Sequence, residues 1–441
     1  LGGSGTVTLL VICPDYASHL LPLLTIATAW RDAGERVVVA TGPATAAIVE
    51  AFGFERVDLR LSKGSNPGVI RAENQPRGED DALRGFFDAT RLGMLPTLAY
   101  QANARLSDFM WEPVRIGREV QAVVAAVAPR EIIVDHLAFS ARLALIAGGI
   151  PHADVVVGHP TALPVAGEVY GFPPTWPSAF EPELGELGEL RELCELVSVS
   201  FTTEWNAALA ELEPGASPSV SAFAEHGDLV LYNYPASLAD PARAQFLPPH
   251  LFIGSAVRDE PADAEVTEWL EGSVEPFVYV SFGSFLSVRS DVLARVAEAI
   301  SALGLRAAIA LGSAGLADLP ALPADWLVRE FLPQVTLLKS AAVAVTHGGN
   351  NSVTEAMTFG VPLVVMPFST DQFAGAEAIE RSGFGVVVAP NESTVEQLRA
   401  AIQGVAKRLA ADGAELAALS TDLRQNPGSA RAFAAIAPST S

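Results

Sequence analysis

Apolar residues along this chain come in two alternating forms, short unbroken runs and helix-spaced sets, and the alternation begins at once. Residues 6–12 are β-branched and apolar, 13–18 carry Pro14 and Asp15, and 19–33 place Leu20, Leu23, Leu24, Ala27 and Trp30 at helical spacing before Gly34. A second apolar run at 36–40 and a helix at 45–52 follow. Strands that are apolar throughout, separated by helices, predict a parallel sheet covered on both faces. The rhythm continues with a short strand at 132–134 ending on Asp135, a helix at 138–147, and strands at 153–157 and 229–232. It restarts near 251 and repeats as strands at 277–281, 306–311, 326–330, 342–346, 363–366 and 385–388, with helices between them.

Two stretches break the rhythm. Residues 63–85 are polar and irregular, with Gly64, Pro67, Gly68, Pro76 and Gly78, and 158–182 are rich in proline and aromatics before an acidic helix at about 186–196. Long loops of this kind often carry substrate contacts. A proline-bearing connection near 235–249 marks the domain boundary. The expected fold class is α/β, with two facing Rossmann-like doubly wound domains and a cleft between them. The expected divisions are an N-terminal domain over 6–235, a linker over 236–252, a C-terminal domain over 253–420, and a tail over 421–441 that packs back on the first domain.

Length and charge narrow the function. A chain of 441 residues is too long for one ordinary core. A formal charge of −23 repels nucleic acid and anionic lipid. No apolar stretch reaches bilayer-spanning length. Cys13 and Cys194 are the two cysteines, with no ligand cluster around them, so neither a disulfide framework nor a metal site is expected. The opening Leu1-Gly2-Gly3-Ser4-Gly5 lacks the basic flank of a signal peptide and reads as an appended sequence; a cytoplasmic placement is expected.

The densest chemical signal is Val343-Ala344-Val345-Thr346-His347-Gly348-Gly349-Asn350-Asn351-Ser352, a buried strand running through two glycines into a helix. Such a turn brings backbone close to a ligand and aims free N–H groups at it, which suits a diphosphate. The plainer alternative is that Ser352-x-x-Glu355 is a capping box. Downstream, the strand at 363–366 delivers Asp371 and Gln372 at its C-terminal end, where open α/β sheets bind ligands. Upstream, Phe331-Leu332-Pro333-Gln334 offers an aromatic face and backbone groups for a base. His19 sits where the first strand gives way to the first helix. An imidazole at that position is either a cap or a general base for a hydroxyl. No phosphate loop of the GxxxxGK[ST] type, no complete GxGxxG and no GxSxG elbow is present.

Taken together, His347 to Glu355, Gly360-Val361-Pro362, Asp371-Gln372 and the Pro333-Gln334 lead-in resemble the donor-binding signature of family 1 glycosyltransferases, the UDP-glycosyltransferase-like enzymes, here of a bacterial natural-product type. The resemblance implies a GT-B fold and a metal-independent inverting enzyme without a cofactor, using a nucleotide sugar as co-substrate. It implies that His347 contacts the diphosphate, with Ser284, Gly349, Asn350, Asn351 and Ser352 around it. Glu355 would hold the ribose, Asp371 and Gln372 the hexose, and Phe331 and Leu332 the base. Ser18-His19-Leu20-Leu21-Pro22 resembles the family's catalytic Gly-His-x-x-Pro segment, which makes His19 the base and Asp135 the carboxylate that orients it. Three departures stand out: Ser18 replaces glycine, and Phe331 and Asn350 replace the tryptophans of plant members. UDP-glucose is favoured as donor over a dTDP-sugar. The acceptor is expected to be a hydroxylated small molecule, such as a polyketide, macrolide, phenolic compound or nucleoside. Tyr16, Phe86, Phe87, Phe139, Tyr170, Phe172 and Trp176 are candidates to line its pocket. The rival functions are a nucleotide-sugar epimerase or hydrolase of the same fold, and a non-catalytic partner protein.

Overall fold

A computed structural model of the chain describes residues 7–68, 79–108 and 110–437. The first sheet is built from β1 (Thr8–Ile12), β2 (Arg36–Thr41), β3 (Glu55–Asp58), β4 (Glu131–Asp135), β5 (Ala153–Val156), β6 (Leu229–Tyr232) and β7 (His250–Phe252). The second is built from β8 (Phe277–Ser281), β9 (Arg306–Ala310), β10 (Leu327–Arg329), β11 (Val343–Thr346), β12 (Leu363–Val365) and β13 (Gly385–Val387). Their orders are β3-β2-β1-β4-β5-β6-β7 and β10-β9-β8-β11-β12-β13, with every pairing parallel. Each sheet winds outward in both directions from one point, between β1 and β4 in the first and between β8 and β11 in the second. Ligands of doubly wound sheets bind outside the strand ends at such a reversal. The central strands carry the unbroken apolar runs because helices cover both faces: Leu9 to Ile12, Ile133, Val134, Val280 and Val345 are all buried.

The two sheets place the expected boundaries somewhat differently. The segment 236–252 ends in β7, which pairs with β6 (Tyr232 opposite Phe252), so the first sheet reaches three residues into the expected linker. The helix expected at 186–196 runs from Leu184 to Leu212. The strand β3, Glu-Arg-Val-Asp, is an edge strand with one neighbour and keeps mostly exposed polar side chains.

The domains interlock. The helix Glu79–Leu92 leaves the first domain and sets Phe86 and Phe87 against Val280, Phe282 and Leu286 of the second. Arg289 and Asn391 of the second domain donate to the Thr90 carbonyl near the C-terminal end of that helix, at 3.0 and 3.1 Å. The last described helix, Gly428–Ile436, returns to the first domain, where Phe433 meets Trp30 edge-on with centroids 5.0 Å apart. Among the described residues no helix is long and apolar enough to cross a membrane.

Candidate active site

The two sheet reversals face one another across a cavity of about 900 Å3 that is lined by both domains. From the first domain, β1 leads through a loop to the helix Ala17–Asp32, which carries His19, and β4 ends at Asp135. The register of β1 and β4 sets Ile12 opposite Val134, so the two residues emerge side by side. His19 Nδ1 lies 2.8 Å from Asp135 Oδ2. Asp135 is fully buried, and its Oδ1 accepts the Leu137 N–H at 2.8 Å, which fixes the plane of the carboxylate. A carboxylate on Nδ1 holds the proton there and leaves Nε2 as the basic atom. Burial pulls the His19 pKa down, but the charge of Asp135, its hydrogen bond and the nearby charge of Asp371 outweigh that, and the net shift is upward from 6.5. The ring is a stronger base than a free imidazole.

From the second domain, β11 runs into a glycine turn and the helix Asn350–Phe359, whose N-cap is Gly349. The His347 ring lies between the backbones of Gly283 and Gly349, where a Cβ on either glycine would collide with it. Burial lowers the pKa of His347 to about 4 and keeps the ring neutral, and its hydrogen bond with the Ser281 backbone takes up the one N–H of that neutral ring, so the expected N–H donation to a diphosphate is not open to it. Ser284 lies in the short helix Gly283–Leu286 after β8, and its side chain lies outside the described residues.

The capping-box alternative fails. The helix cap is Gly349 without a side-chain bond, and Glu355 turns away from the backbone. Its Oε1 pairs with Arg258 Nη1 at 2.7 Å, and its Oε2 accepts Gln334 Nε2 at 2.6 Å. Burial pushes the Glu355 pKa up, while Arg258 and Gln334 hold it back. Ser352 Oγ lies 3.5 Å from Gln334 Oε1 and joins the same group. Leu332 is buried beneath this corner, and Phe331, 65% exposed, stands at its rim. Sequence reasoning missed Arg258, because its partner lies 97 residues away and no local spacing connects them.

Asp371 and Gln372, expected to read the hexose, are already engaged within the protein. Asp371 Oδ2 accepts the His159 N–H of the first domain at 2.6 Å. Gln372 Oε1 accepts the Phe368 and Ser369 N–H groups at 3.0 and 3.2 Å, which shapes the loop after β12. Asn350 and Asn351 likewise donate to the first domain: Asn350 Nδ2 to Val157 O and Asn233 O, and Asn351 Nδ2 to Ser18 O.

The other end of the cavity is mainly aromatic. Tyr16, Phe86, Tyr170 and Phe172 line it, together with Leu137 and Arg105. Phe87, Phe139 and Trp176 do not. Phe87 is buried among second-domain aliphatics, Phe139 packs edge-on to Phe201 with centroids 5.0 Å apart, and Trp176 packs on that same core. Part of the irregular loop at 63–85, residues 69–78, lies outside the described residues; Gly64, Ser65, Asn66 and Gly68 line the cavity.

Comparison with known proteins agrees with this fold. Residues 197–412 match the family model described as UDP-glucoronosyl and UDP-glucosyl transferase. An uncharacterized UDP-glucosyltransferase, YojK of Bacillus subtilis (strain 168), is 27% identical over 184 residues, 42% of this chain and 45% of that one. The demethyllactenocin mycarosyltransferase of Streptomyces fradiae is 33% identical over 138 residues, 31% of this chain and 29% of that one. The matches thus span less than half the length of these curated relatives. Solved structures match end to end. The glycotransferase of kitacinnamycin superposes with a TM-score of 0.68 at 22% identity, covering 98% of both chains. The glycosyltransferase VinC, in complex with dTDP, gives 0.66 at 19%, covering 97% of this chain and 98% of that one. The chain thus has the GT-B glycosyltransferase fold along its whole length, and residues 197–412, just under half of it, match the model of the UDP-glucoronosyl and UDP-glucosyl transferase family.

Proposed function

We propose that the protein is an inverting, metal-independent glycosyltransferase that moves a hexose, in first place glucose from UDP-glucose, onto a hydroxyl of a small apolar acceptor. The observation that supports this most is the opposition, across one cavity, of the His19–Asp135 pair and the glycine turn that opens the helix Asn350–Phe359. His19 Nε2 takes the acceptor proton as the oxygen attacks the anomeric carbon from the face away from the diphosphate. Asp135 holds the resulting imidazolium. The leaving diphosphate meets the free N–H groups at the helix start, beside the neutral His347 ring, which is electrostatic stabilisation by prearranged donors. Glu355 accepts from the ribose hydroxyls, and Asp371 and Gln372 read the sugar. An α-linked donor gives a β-glycoside.

The test is a metal-free screen by mass spectrometry, with UDP-glucose and dTDP-glucose offered separately against phenols, macrolides and nucleosides. A product one hexose heavier supports transfer, and the ratio of the two donors settles the base preference, a question that the dTDP bound to VinC keeps open. Release of nucleotide without a glycoside would favour the hydrolase or epimerase reading.

Arg258 provides a sharper check of the ribose corner. With Arg258→Met, the donor KM is expected to rise about tenfold at neutral pH, matching one lost charge-assisted bond. The KM should worsen further as pH falls. Burial and Glu260 both favour the protonated form of Glu355, and without the Arg258 cation its raised pKa climbs further. A donor KM that stays flat between pH 6 and 8 would count against this role.

A further inference from the structure

The first turn of the helix Asn350–Phe359 is fastened to the first domain by two side-chain amides. Asn350 Nδ2 donates to Val157 O at 2.8 Å and to Asn233 O at 2.9 Å, which occupies both of its hydrogens and leaves none for a phosphate. Those carbonyls follow the ends of β5 and β6. Asn351 Nδ2 donates to Ser18 O at 2.8 Å, one residue before His19.

The Ser18 carbonyl is open to Asn351 for a reason written in the sequence. Within the helix Ala17–Asp32 its partner would be the N–H of residue 22, and Pro22 has none. Proline in a helix interior is costly and leaves the carbonyl four residues earlier unpaired. Here that orphan lies in the turn that carries His19, and a side chain from the other domain satisfies it.

We propose that Pro22 and Asn351 form a registration contact. Pro22 keeps the Ser18 carbonyl free, Asn351 grips it from the phosphate-binding turn, and the grip sets the distance between the base on one domain and the leaving group on the other. Asn350 anchors the same turn to β5 and β6. An amide nitrogen has two hydrogens, so Asn351 can hold Ser18 and a donor phosphate at once. Pro22 and Asn351 are positioning residues, and the inference rests on the reading of His19 as the base.

The test is a double-variant cycle of Pro22→Ala and Asn351→Ala, with His19→Ala alongside. It reads kcat, donor KM, affinity for UDP by calorimetry, and thermal unfolding. Alanine at 22 restores the helical N–H to Ser18 and withdraws the carbonyl from Asn351. The expected result is a melting temperature that is unchanged or higher, UDP affinity within about twofold, and kcat lower by about tenfold, as a displaced base requires. The double variant should have the kcat of Asn351→Ala, because one contact cannot be lost twice. Unchanged kcat in Pro22→Ala, effects that multiply in the double variant, or a fall in kcat that tracks a lower melting temperature would each overturn the contact. Transfer that survives His19→Ala, or its absence from the unmodified enzyme, overturns the assignment of the base and the contact with it. Transfer abolished by His19→Ala but intact in Pro22→Ala overturns the contact alone.

Discussion

Replacing His19 by alanine is expected to lower kcat for sugar transfer by about 10²- to 10⁴-fold, the usual worth of a positioned general base, with little change in the affinity for UDP. The proposed base stands on the first domain and the proposed phosphate turn on the second, so the loss should fall on chemistry and spare the nucleotide. Asp135→Asn keeps the shape but removes the charge that raises the His19 pKa. The direction in pH follows. Transfer needs the neutral ring, so the rate should fall as pH drops through the raised pKa, and the acid limb should lie above 6.5 in the native enzyme. In Asp135→Asn that limb should move to lower pH while the plateau drops. Profiles of kcat/KM from pH 5 to 9 on the two enzymes decide it; an acid limb that stays in place would separate Asp135 from the base.

The largest effect on stability is expected away from the reacting atoms. Arg142 and Asp154 form an ion pair at 2.8 Å in which neither side chain is exposed. The guanidinium also donates to the carbonyls of His136 and Glu225, and Asp154 accepts the Gly227 N–H at 2.6 Å. This network ties the turn after Asp135 to the neighbouring strand β5. Arg142→Met removes the cation but leaves a buried carboxylate, which costs about 3–5 kcal/mol. In a domain of this size that is a fall in melting temperature on the order of 10 °C. Because the network supports the turn that aims Asp135, activity should fall at temperatures where the variant is still folded. Differential scanning calorimetry and kcat at 20 °C separate the two effects, and a melting temperature within 2 °C of the native one would show that the pair contributes little.

Much of the fold could be read because buried parallel strands have no polar face to maintain. The runs at β1, β8 and β11 are apolar throughout, and each stops where the chain must turn polar toward the cleft. The elements that escaped are those governed by other forces. The edge strand β3 is Glu-Arg-Val-Asp, and its pairing comes from β2 and not from any period of its own. The helix Leu184–Leu212 passes through Ser198, Ser200, Thr202 and Thr203, weak helix formers that cut the expected helix short, yet its packed residues Phe201 and Trp205 hold it through that stretch. At the site, resemblance supplied His19 and Asp135, and the folded chain brings them to 2.8 Å. It could not supply Arg258 or the carbonyl left open by Pro22, since both act on partners roughly a hundred or more residues away. Local spacing likewise could not distinguish a capping box from a carboxylate facing an arginine.

The return of the helix Gly428–Ile436 to the first domain has a mechanical consequence. The chain crosses between domains near Gly254 and again near Pro427, and the two crossings are joined, with Gly428 N donating to Ser255 O at 2.9 Å. A Cβ on Gly428 would press on the Ser255 backbone, and one on Gly254 on the Leu423 side chain, so glycine at both places lets the crossing stay close. Two tethers bonded side by side form a ribbon, which bends easily across its width but resists twisting and bending in its own plane. The last helix, far along the chain from the candidate site, thereby helps to hold the two domains against twisting about their crossing.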